Sequence, residues 1–494
     1  MIAHSSLQSH FGQALYSASL VTHGDAALAL IRIDQCKRLA IAARSSDPSA
    51  AAFRGETSEL GEGYTLTLCP TDHANAHALR ALLPHLKPRP LGLTTSAGFG
   101  DRLGLATPGH ARALQSVLDI APGKVVAPIF AQQSIREMGR TNRTPDDVLA
   151  DATWGAFEAG WRRSLGADAD HLKTPDDIDA CVVAGFSFFT VDPGAHVDSE
   201  ADMADAAHIA ERVDALPWAA LESSSAALDQ NYAGRVFELG NSRVEVSRAA
   251  AMRAAAKYGR AIAHVATMYR HLAGKDVPFE LEISVDETDT PTTHAEHIYI
   301  ASELQRLGVR WVSLAPRYVG RFEKGVEYLG DLAALRADLA GHAAIARALG
   351  PYKLSLHSGS DKFNVYPIIA ELTGGCVHLK TAGTSYLEAL RVIARVEPSL
   401  FREIARFSRD RYPHDRATYH VSAEVSRLPD LATLPDPRLP ALLDDNNTRQ
   451  ILHVTFGSVL GEFKPRLLAA LRAHEEAHYA ALEKHFIRHL QPFM

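Results

Sequence analysis

The sequence predicts an α/β protein built on a (β/α)8 TIM-like barrel. Eight short apolar or β-branched runs lie between residues 91 and 381, most of them end in polar residues, and the intervals between them are long enough for helices. Such runs are typical of parallel strands covered on both faces. An open doubly wound sheet would give the same local pattern, but the count of eight favours the barrel. Both folds bind ligands at the carboxyl ends of the strands, so we expect the functional residues there.

The predicted strands follow one another in a regular order. The first four are LGLTT (91–95), VVAPIF (125–130), the weaker SLGADAD (164–170) and FSFFTV (186–191). The last four are FELEISV (279–285), RWVSLA (310–315), YKLSL (352–356) and GCVHLK (375–380). The interval between the fourth and fifth strands is far longer than an ordinary crossover. Its helical patterns, 200–216 and 247–272, predict a helical insertion near residues 195–275.

Two further regions flank the predicted catalytic barrel, which we assign to residues 89–400. Residues 1–88 mix three strand-like runs with a helical stretch and end at the breaker KPRP, which predicts an N-terminal α/β extension. Residues 401–494 begin with a Pro-rich stretch and predict a C-terminal helical tail that ends in one long amphipathic helix from about Lys464 to Leu490. We expect this tail to pack on the barrel or to form an oligomer contact.

The composition limits the classes of binding partner and predicts the cellular compartment. The 494 residues are 46% apolar and 22% charged, and the net charge of −7 is spread without a long basic block, so we expect neither nucleic acid nor an anionic membrane as a partner. There is no long apolar stretch or leader-like start, which predicts a cytoplasmic protein. The four cysteines form no CxxC pair, which disfavours a disulfide framework or a cysteine zinc site. The sequence is compatible with a homo-oligomer.

Acidic side chains at two strand ends are the first candidates for chemistry. Asp170 and His171 end the third strand, where a carboxylate can act as a general base beside a metal-binding imidazole. In the fifth strand, Glu280 and Glu282 lie on the same face. Burying a carboxylate there is costly without a proton, a metal or a cation, which favours a functional role. The alternatives are a surface turn for the Asp-His pair and a solvated loop for the glutamates.

The seventh and eighth strands end in a second polar group. His357 ends the seventh strand and is followed by small residues whose backbone amides could face an anion or a hydroxylated ligand. The eighth strand places His378 and Lys380 on one face. His378 could be a metal ligand or a packed core residue, and Lys380 could contact substrate. The substrate-binding candidates in these two segments are Ser358, Ser360, Asp361, His378, Lys380 and Thr381.

Cationic and amide side chains follow the second and sixth strands. Gln132, Arg136 and Arg140 follow the second strand, and Arg317 follows the sixth. An arginine fork suits a carboxylate or a phosphate, so these residues are candidates for binding an acidic substrate. Exposed helix starts would give the same pattern.

Two short motifs are weak matches to known sites. GFGDRLG (98–104) approximates a dinucleotide fingerprint, but its glycine spacing differs and the expected acidic residue is missing, so we expect no nucleotide cofactor. HEEAH (474–478) fits the zinc-protease pattern, but the extended pattern with a third histidine is absent. We expect a solvated helix face there.

Five longer blocks resemble the bacterial tagaturonate epimerases. They are FSFFTVDPGAHVD, EISVDET, SLAPRYVGRFEKGVEY, YKLSLHSGSDKFNVYPI and HLKTAGTSYLEALR, and the likeness covers about residues 91–391. The resemblance implies a metal-dependent (β/α)8 enzyme that interconverts D-tagaturonate and D-fructuronate, a keto-sugar acid pair of hexuronate catabolism. It also implies that Asp170 accepts a proton, that Glu282 donates one, and that His171 and His357 bind the metal. Glu323 is the favoured third ligand, with His378 as the alternative.

The layout is also similar to class II aldolases, and this bears on mechanism. The two hexuronates differ at a carbinol carbon β to the ketone, whose C–H is not acidified, so simple enolisation cannot invert it. A retro-aldol cleavage followed by aldol addition can. Mixed histidine and carboxylate ligands suit Zn, Mn, Fe, Co or Ni. A tagatose/fructose 4-epimerase or an aldolase-like lyase on the same metal site remains the alternative; an oxidation by bound nicotinamide and a non-enzymatic sugar-binding barrel are weaker ones.

Overall fold

The N-terminal region forms an antiparallel sheet with two helices. The structure, a computed structural model, describes residues 2–240 and 242–494. The elements are α1 (Ile2–Phe11), β1 (Val21–His23), β2 (Ala26–Ile33), β3 (Cys36–Arg44), β4 (Glu56–Gly61), β5 (Tyr64–Pro70) and α2 (His73–Leu82). The strands have the order β1-β2-β3-β5-β4 in the sheet, and β2, β3 and β5 correspond to the three strand-like runs of the sequence.

The first half of the barrel differs from the sequence prediction at its first strand. Its elements are β6 (Ser96–Phe99), α3 (Thr107–Ile120), β7 (Ala127–Ser134), α4 (Ile135–Thr141), α5 (Pro145–Glu158), β8 (Gly166–Leu172), α6 (Pro175–Ala184) and β9 (Phe188–Val191). The strand expected at 91–95 is wrong, because Gly92 has a φ of +64° and lies in a turn. The turn is held at the Gly92 amide by the carboxylate of Glu280. The real strand, Ser-Ala-Gly-Phe, carries a weaker apolar signal.

The insertion between the fourth and fifth barrel strands contains a β-hairpin as well as helices. Its elements are α7 (Ala206–Asp214), α8 (Ser225–Tyr232), β10 (Arg235–Leu239), β11 (Ser242–Val246) and α9 (Arg248–Ala273). The helical reading of the sequence missed the antiparallel pair β10–β11. Helix α9 begins at an N-cap, where the Ser247 hydroxyl accepts from the Ala250 amide, and its small residues pack against neighbouring helices.

The second half of the barrel closes the sheet. Its elements are β12 (Glu280–Ser284), α10 (His294–Arg306), β13 (Ser313–Ala315), α11 (Leu332–Ala348), β14 (Lys353–Leu356), α12 (Tyr366–Thr373), β15 (Val377–Thr381) and α13 (Thr384–Val396). The barrel strands have the cyclic order β12-β13-β14-β15-β6-β7-β8-β9, and every pairing is parallel. This confirms the predicted (β/α)8 fold class.

The tail is made of four helices, and its end is not one helix. They are α14 (Pro398–Asp415), α15 (Asn446–Val454), α16 (Phe456–Ala473) and α17 (Glu475–Leu490). The single helix expected over 464–490 is wrong, because His474 leaves helical geometry at φ −117° and ψ 40° and separates α16 from α17. Helix α17 packs against α3 and α13. In the described residues, no helix is long and apolar enough to cross a membrane.

Candidate active site

A buried lysine lies among three carboxylates at the carboxyl end of the barrel. Lys380 Nζ is 2.9 Å from Asp168 Oδ2, 2.7 Å from Asp170 Oδ1 and 2.8 Å from Glu282 Oε1. Burial opposes ionisation of Asp170 and Glu282, but the lysine and nearby histidines outweigh it, so the pKa of both carboxyls is lowered. The ammonium predicted to contact substrate therefore serves as a counter-ion inside the barrel.

Two histidines lie directly above these carboxylates. His171 Nδ1 is 2.7 Å from Asp170 Oδ1, whereas its Nε2 is buried without a hydrogen-bond partner. His357 lies with Nε2 2.7 Å from Glu282 Oε1 and Nδ1 3.0 Å from Asp286 Oδ1. Burial disfavours a charged imidazole, but Asp286 and Glu282 raise the pKa of His357 to about 10. The carboxylates beside His357 thus favour positive charge at this position.

One group of these side chains has the spacing of metal ligands. A donor atom from each of Asp170, His171 and His357 lies within 4.8 Å of the other two. The unpartnered His171 Nε2 supplies a free donor, and a mixed set of imidazoles and carboxylate suits a borderline divalent ion. These residues therefore fit the predicted divalent cation.

A cavity opens beside this group and has a cationic wall. Arg136, Arg317 and Lys324 line it together with Asp286 and Glu287. Arg136 Nη2 is 3.3 Å and Lys324 Nζ 3.6 Å from the same Glu287 oxygen. Arg317 keeps a buried Nε without a hydrogen-bond partner. The wall can therefore receive an anionic group of a ligand.

The tail covers the cavity. Tyr419 and His420, from the segment between α14 and α15, line it from the side opposite the barrel. The Tyr419 hydroxyl accepts a hydrogen bond from Arg140, and the Arg136 guanidinium lies 5.9 Å from the centre of the Tyr419 ring. Arg140 therefore positions this roof and is absent from the cavity lining.

A smaller recess adjoins the two histidines and contains several predicted residues. Gln132, Ser358, Ser360 and Lys380 line it, and Gln132 Nε2 donates to Asp170 Oδ2 at 2.9 Å. The tail contributes His453 to the same recess. Glu282 lines neither cavity and lies below His357, with its Oε2 buried and unpartnered.

Four predicted residues point elsewhere. The Glu323 carboxylate accepts hydrogen bonds from Ser422 (2.8 Å) and Gln450 (2.6 Å) of the tail, so the structure does not bring it to the two histidines. The other three are likewise engaged outside the cavity: Asp361 with Arg449 at 2.7 Å, His378 with Ser96 at 2.9 Å, and Thr381 with the Gly98 carbonyl at 2.6 Å.

Sequence reasoning missed the residues that the tail and the acidic loop supply. Asp286 was one of several carboxylates after the fifth strand, and nothing in its spacing marked it as the partner of His357. Tyr419, His420 and His453 belong to a tail whose sequence carries no signal for the face of the barrel it covers.

The HEEAH segment is only partly the solvated face expected from the sequence, because His474 and Glu476 are exposed whereas His478 is buried. His478 is 1% exposed, and Glu475 lies 2.6 Å from Lys37 and 3.0 Å from Arg32. The segment therefore docks the tail on the N-terminal sheet. Among the residues that the structure describes, no group with metal-ligand spacing includes it.

Comparison with known proteins agrees with this architecture over the full length. The sequence model of the tagaturonate epimerase family matches residues 16–493. The chain is 41% identical over 485 residues to the tagaturonate/fructuronate epimerase of Thermotoga maritima, covering 97% of both chains. It superimposes with a TM-score of 0.91 on crystal structures of the fructuronate-tagaturonate epimerase UxaE from Cohnella laeviribosi, native and glycerol-complexed, at 33% identity and with 100% and 99% of the two chains covered. The chain therefore belongs to the tagaturonate epimerase family.

Proposed function

We propose that this protein is a divalent-metal-dependent epimerase that interconverts D-tagaturonate and D-fructuronate. The proposal rests on one observation at the mouth of the barrel. The group Asp170, His171 and His357, which has the spacing of metal ligands, lies beside a cavity that has a cationic wall. The names of the 41% identical relative and of the structural neighbour supply the substrate pair. The cationic wall favours a uronate over a neutral ketohexose, because a carboxylate gains charge-assisted hydrogen bonds there.

His171 and His357 would hold the metal together with one carboxylate oxygen of Asp170, and the other oxygen would serve as the base. A divalent ion bound there supplies Lewis-acid polarisation of the substrate ketone. Glu323 and His378, the third ligands considered from sequence, are replaced in this proposal by Asp170, because their side chains are engaged elsewhere.

The carboxylates carry the proton transfers of a retro-aldol route. Asp170 takes the proton of the hydroxyl on the inverting carbon while the bond from that carbon to the α-carbon breaks and its electron pair passes towards the ketone. The aldehyde fragment rotates, the bond re-forms on the other face, and the proton returns. The proton taken by Asp170 passes to Glu282 or Asp286, both of which are ionised at rest, and that carboxyl returns it to the new alkoxide. Glu282 has an unpartnered Oε2, and Asp286 lines the cavity.

The substrate carboxylate is proposed to bind Arg136, Arg317 and Lys324. These three side chains share one wall, and Arg317 has an unused donor there. The Tyr419–His420 roof then excludes water from the cleaved intermediate, which keeps the aldehyde from leaving.

Metal add-back tests the function. Protein stripped of metal is incubated with D-tagaturonate, with and without manganese or zinc, and the products are separated. Fructuronate that forms only with metal supports the proposal. Metal-dependent turnover of tagatose but not of tagaturonate would identify a neutral ketohexose as the substrate. Release of a three-carbon product would favour a lyase.

Isotope labelling tests the route. In deuterated water, a retro-aldol route leaves the inverted carbon without deuterium. Deuterium at the inverted carbon would contradict this route and would support direct abstraction of the proton from that carbon.

A further inference from the structure

We propose a second divalent-cation site, outside the barrel mouth, formed by His294, Asp338 and His342. His294 begins α10, and Asp338 and His342 stand one turn apart on α11, so their side chains share a face of that helix. One donor atom from each residue lies within 4.8 Å of the other two. The site uses none of the residues of the proposed function.

The donor spacings are close to those of a tetrahedral ion. Asp338 Oδ1 is 3.5 Å from His342 Nε2 and 3.8 Å from His294 Nε2. Ligand bonds of about 2.0–2.2 Å place tetrahedral donors about 3.3–3.6 Å apart. Small side-chain movements therefore suffice to close the site around an ion. Two imidazoles and one carboxylate favour zinc, cobalt or a similar borderline divalent ion.

His342 provides an independent indication of a ligand. Its side chain is fully buried, yet its Nε2 has no hydrogen-bond partner. Its Nδ1 lies 2.9 Å from Nδ1 of His297, whose Nε2 is 2.8 Å from the Tyr352 hydroxyl. When the proton between the two Nδ1 atoms lies on His342, this series of hydrogen bonds leaves the lone pair of His342 Nε2 facing Asp338. Metal-binding histidines are commonly oriented in this way through their second ring nitrogen.

His294 provides the route of entry. Its side chain is 32% exposed, so an ion can reach the site from solvent. Its Nε2 also donates a hydrogen bond to the Asp338 carbonyl oxygen at 3.1 Å. On binding of the ion, the ring proton would move to Nδ1 and leave the Nε2 lone pair for the metal.

The proposed ion would brace one wall of the active-site cavity. Asp338 Oδ2 accepts a hydrogen bond from the Val319 amide at 3.1 Å, and the Tyr318 ring lies 5.6 Å from that of His342. Tyr318 and Arg317 line the cavity from the same loop. The ion therefore has a structural role, which predicts that its loss lowers thermal stability and raises KM more than it changes kcat.

Cobalt binding in a protein without a histidine tag tests this site. The double variant His171→Ala/His357→Ala removes the proposed ligands in the barrel mouth, and the protein is loaded with Co²⁺ and desalted. We expect about one Co²⁺ per chain, with the intense visible absorption of a tetrahedral site. Adding His294→Ala should abolish both signals. His271→Ala is the matched control, because His271 is also partly exposed on a helix and paired with a carboxylate.

If the double variant fails to fold, a second measurement tests the site in protein that keeps His171 and His357. In the otherwise unaltered protein, His294→Ala should lower the bound metal by one equivalent per chain, and His271→Ala should not. Failure of Co²⁺ to bind to a folded double variant, or metal content unchanged by His294→Ala, would overturn the proposal and leave the proposed function untouched.

Discussion

Lys380 and Glu282 form a buried ion pair, with 2.8 Å between Nζ and Oε1 and at most 3% exposure of either side chain. The same ammonium balances Asp168 and Asp170, so one cation offsets three carboxylates. This arrangement keeps Asp170 and Glu282 ionised in a place where burial alone would protonate them. The lysine thereby maintains the negative charge of the group proposed to bind a divalent ion.

Removing this lysine should damage both stability and turnover. Lys380→Met leaves three buried carboxylates without their cation, so we expect the free energy of unfolding to fall by about 3–5 kcal/mol and turnover to be lost. Urea unfolding and initial rates measure the two effects. Lys353→Met is the control, because Lys353 is also buried in the barrel but donates to Ser96 and a carbonyl. Equal losses of turnover in both variants would contradict this role.

Arg136 should determine affinity for the acidic group of the substrate. Arg136→Gln removes a charge-assisted hydrogen bond worth about 1.5–3 kcal/mol, so KM for tagaturonate should rise by about tenfold or more. KM for a neutral ketohexose should stay unchanged. Steady-state kinetics on both substrates measure the difference. Arg112→Gln, at a surface ion pair with Glu476, is the control. A parallel rise with both substrates would argue against carboxylate binding.

Acid should destabilise the protein through its buried neutral histidines. Burial lowers the pKa of His110 to about 3 in the folded state, whereas the unfolded value is about 6.5. Between these values only the unfolded state binds the proton, so stability is lost as pH falls below about 6.5. His110→Asn should flatten the slope of unfolding free energy against pH by about 1 kcal/mol per unit on average between pH 6.5 and 5.

Urea unfolding across this pH range measures the slope. His10→Asn, at an exposed histidine, is the matched control. An unchanged slope in His110→Asn would mean that His110 becomes protonated in the folded state.

The tail should be needed for the stability of the seventh barrel loop. Arg449 of α15 lies 2.7 Å from Asp361, and both side chains are almost fully buried. Arg449→Met removes the cation beside Asp361 Oδ2 and leaves that carboxylate with His485, 2.9 Å from Oδ1. We therefore expect the free energy of unfolding to fall by about 3 kcal/mol. Arg466→Gln, which breaks an exposed pair with Glu403, should have no measurable effect. Similar unfolding midpoints in the two variants would contradict the inference.

The residues of the candidate site that lie at the ends of their own strands could be located from the sequence. Asp170, Glu282 and His357 stand at or near strand ends, and in a parallel barrel these ends converge whatever the loops do. The fold class followed from the eight predicted runs, seven of which overlap barrel strands. The first strand could not be found because Ser-Ala-Gly-Phe is less apolar than the turn before it.

Residues that depend on distant packing could not be predicted. Glu323 and Asp286 both follow barrel strands, yet Ser422 and Gln450 draw Glu323 to the tail whereas His357 holds Asp286 in the site. Tyr419 and His453 enter the cavities only because the tail folds back over the mouth. The spacing of residues within the tail does not indicate that the tail folds back over the mouth of the barrel.

The most direct test of the proposed chemistry compares metal-loaded protein with Asp170→Asn, Glu282→Gln and Asp286→Asn in the conversion of D-tagaturonate to D-fructuronate. If Asp170 accepts the proton, Asp170→Asn should lower kcat by at least about 100-fold, because general-base catalysis supplies about 10²–10⁴-fold. Whichever of Glu282 and Asp286 returns the proton should show a comparable loss. Conversion at the normal rate by metal-loaded Asp170→Asn would contradict the account.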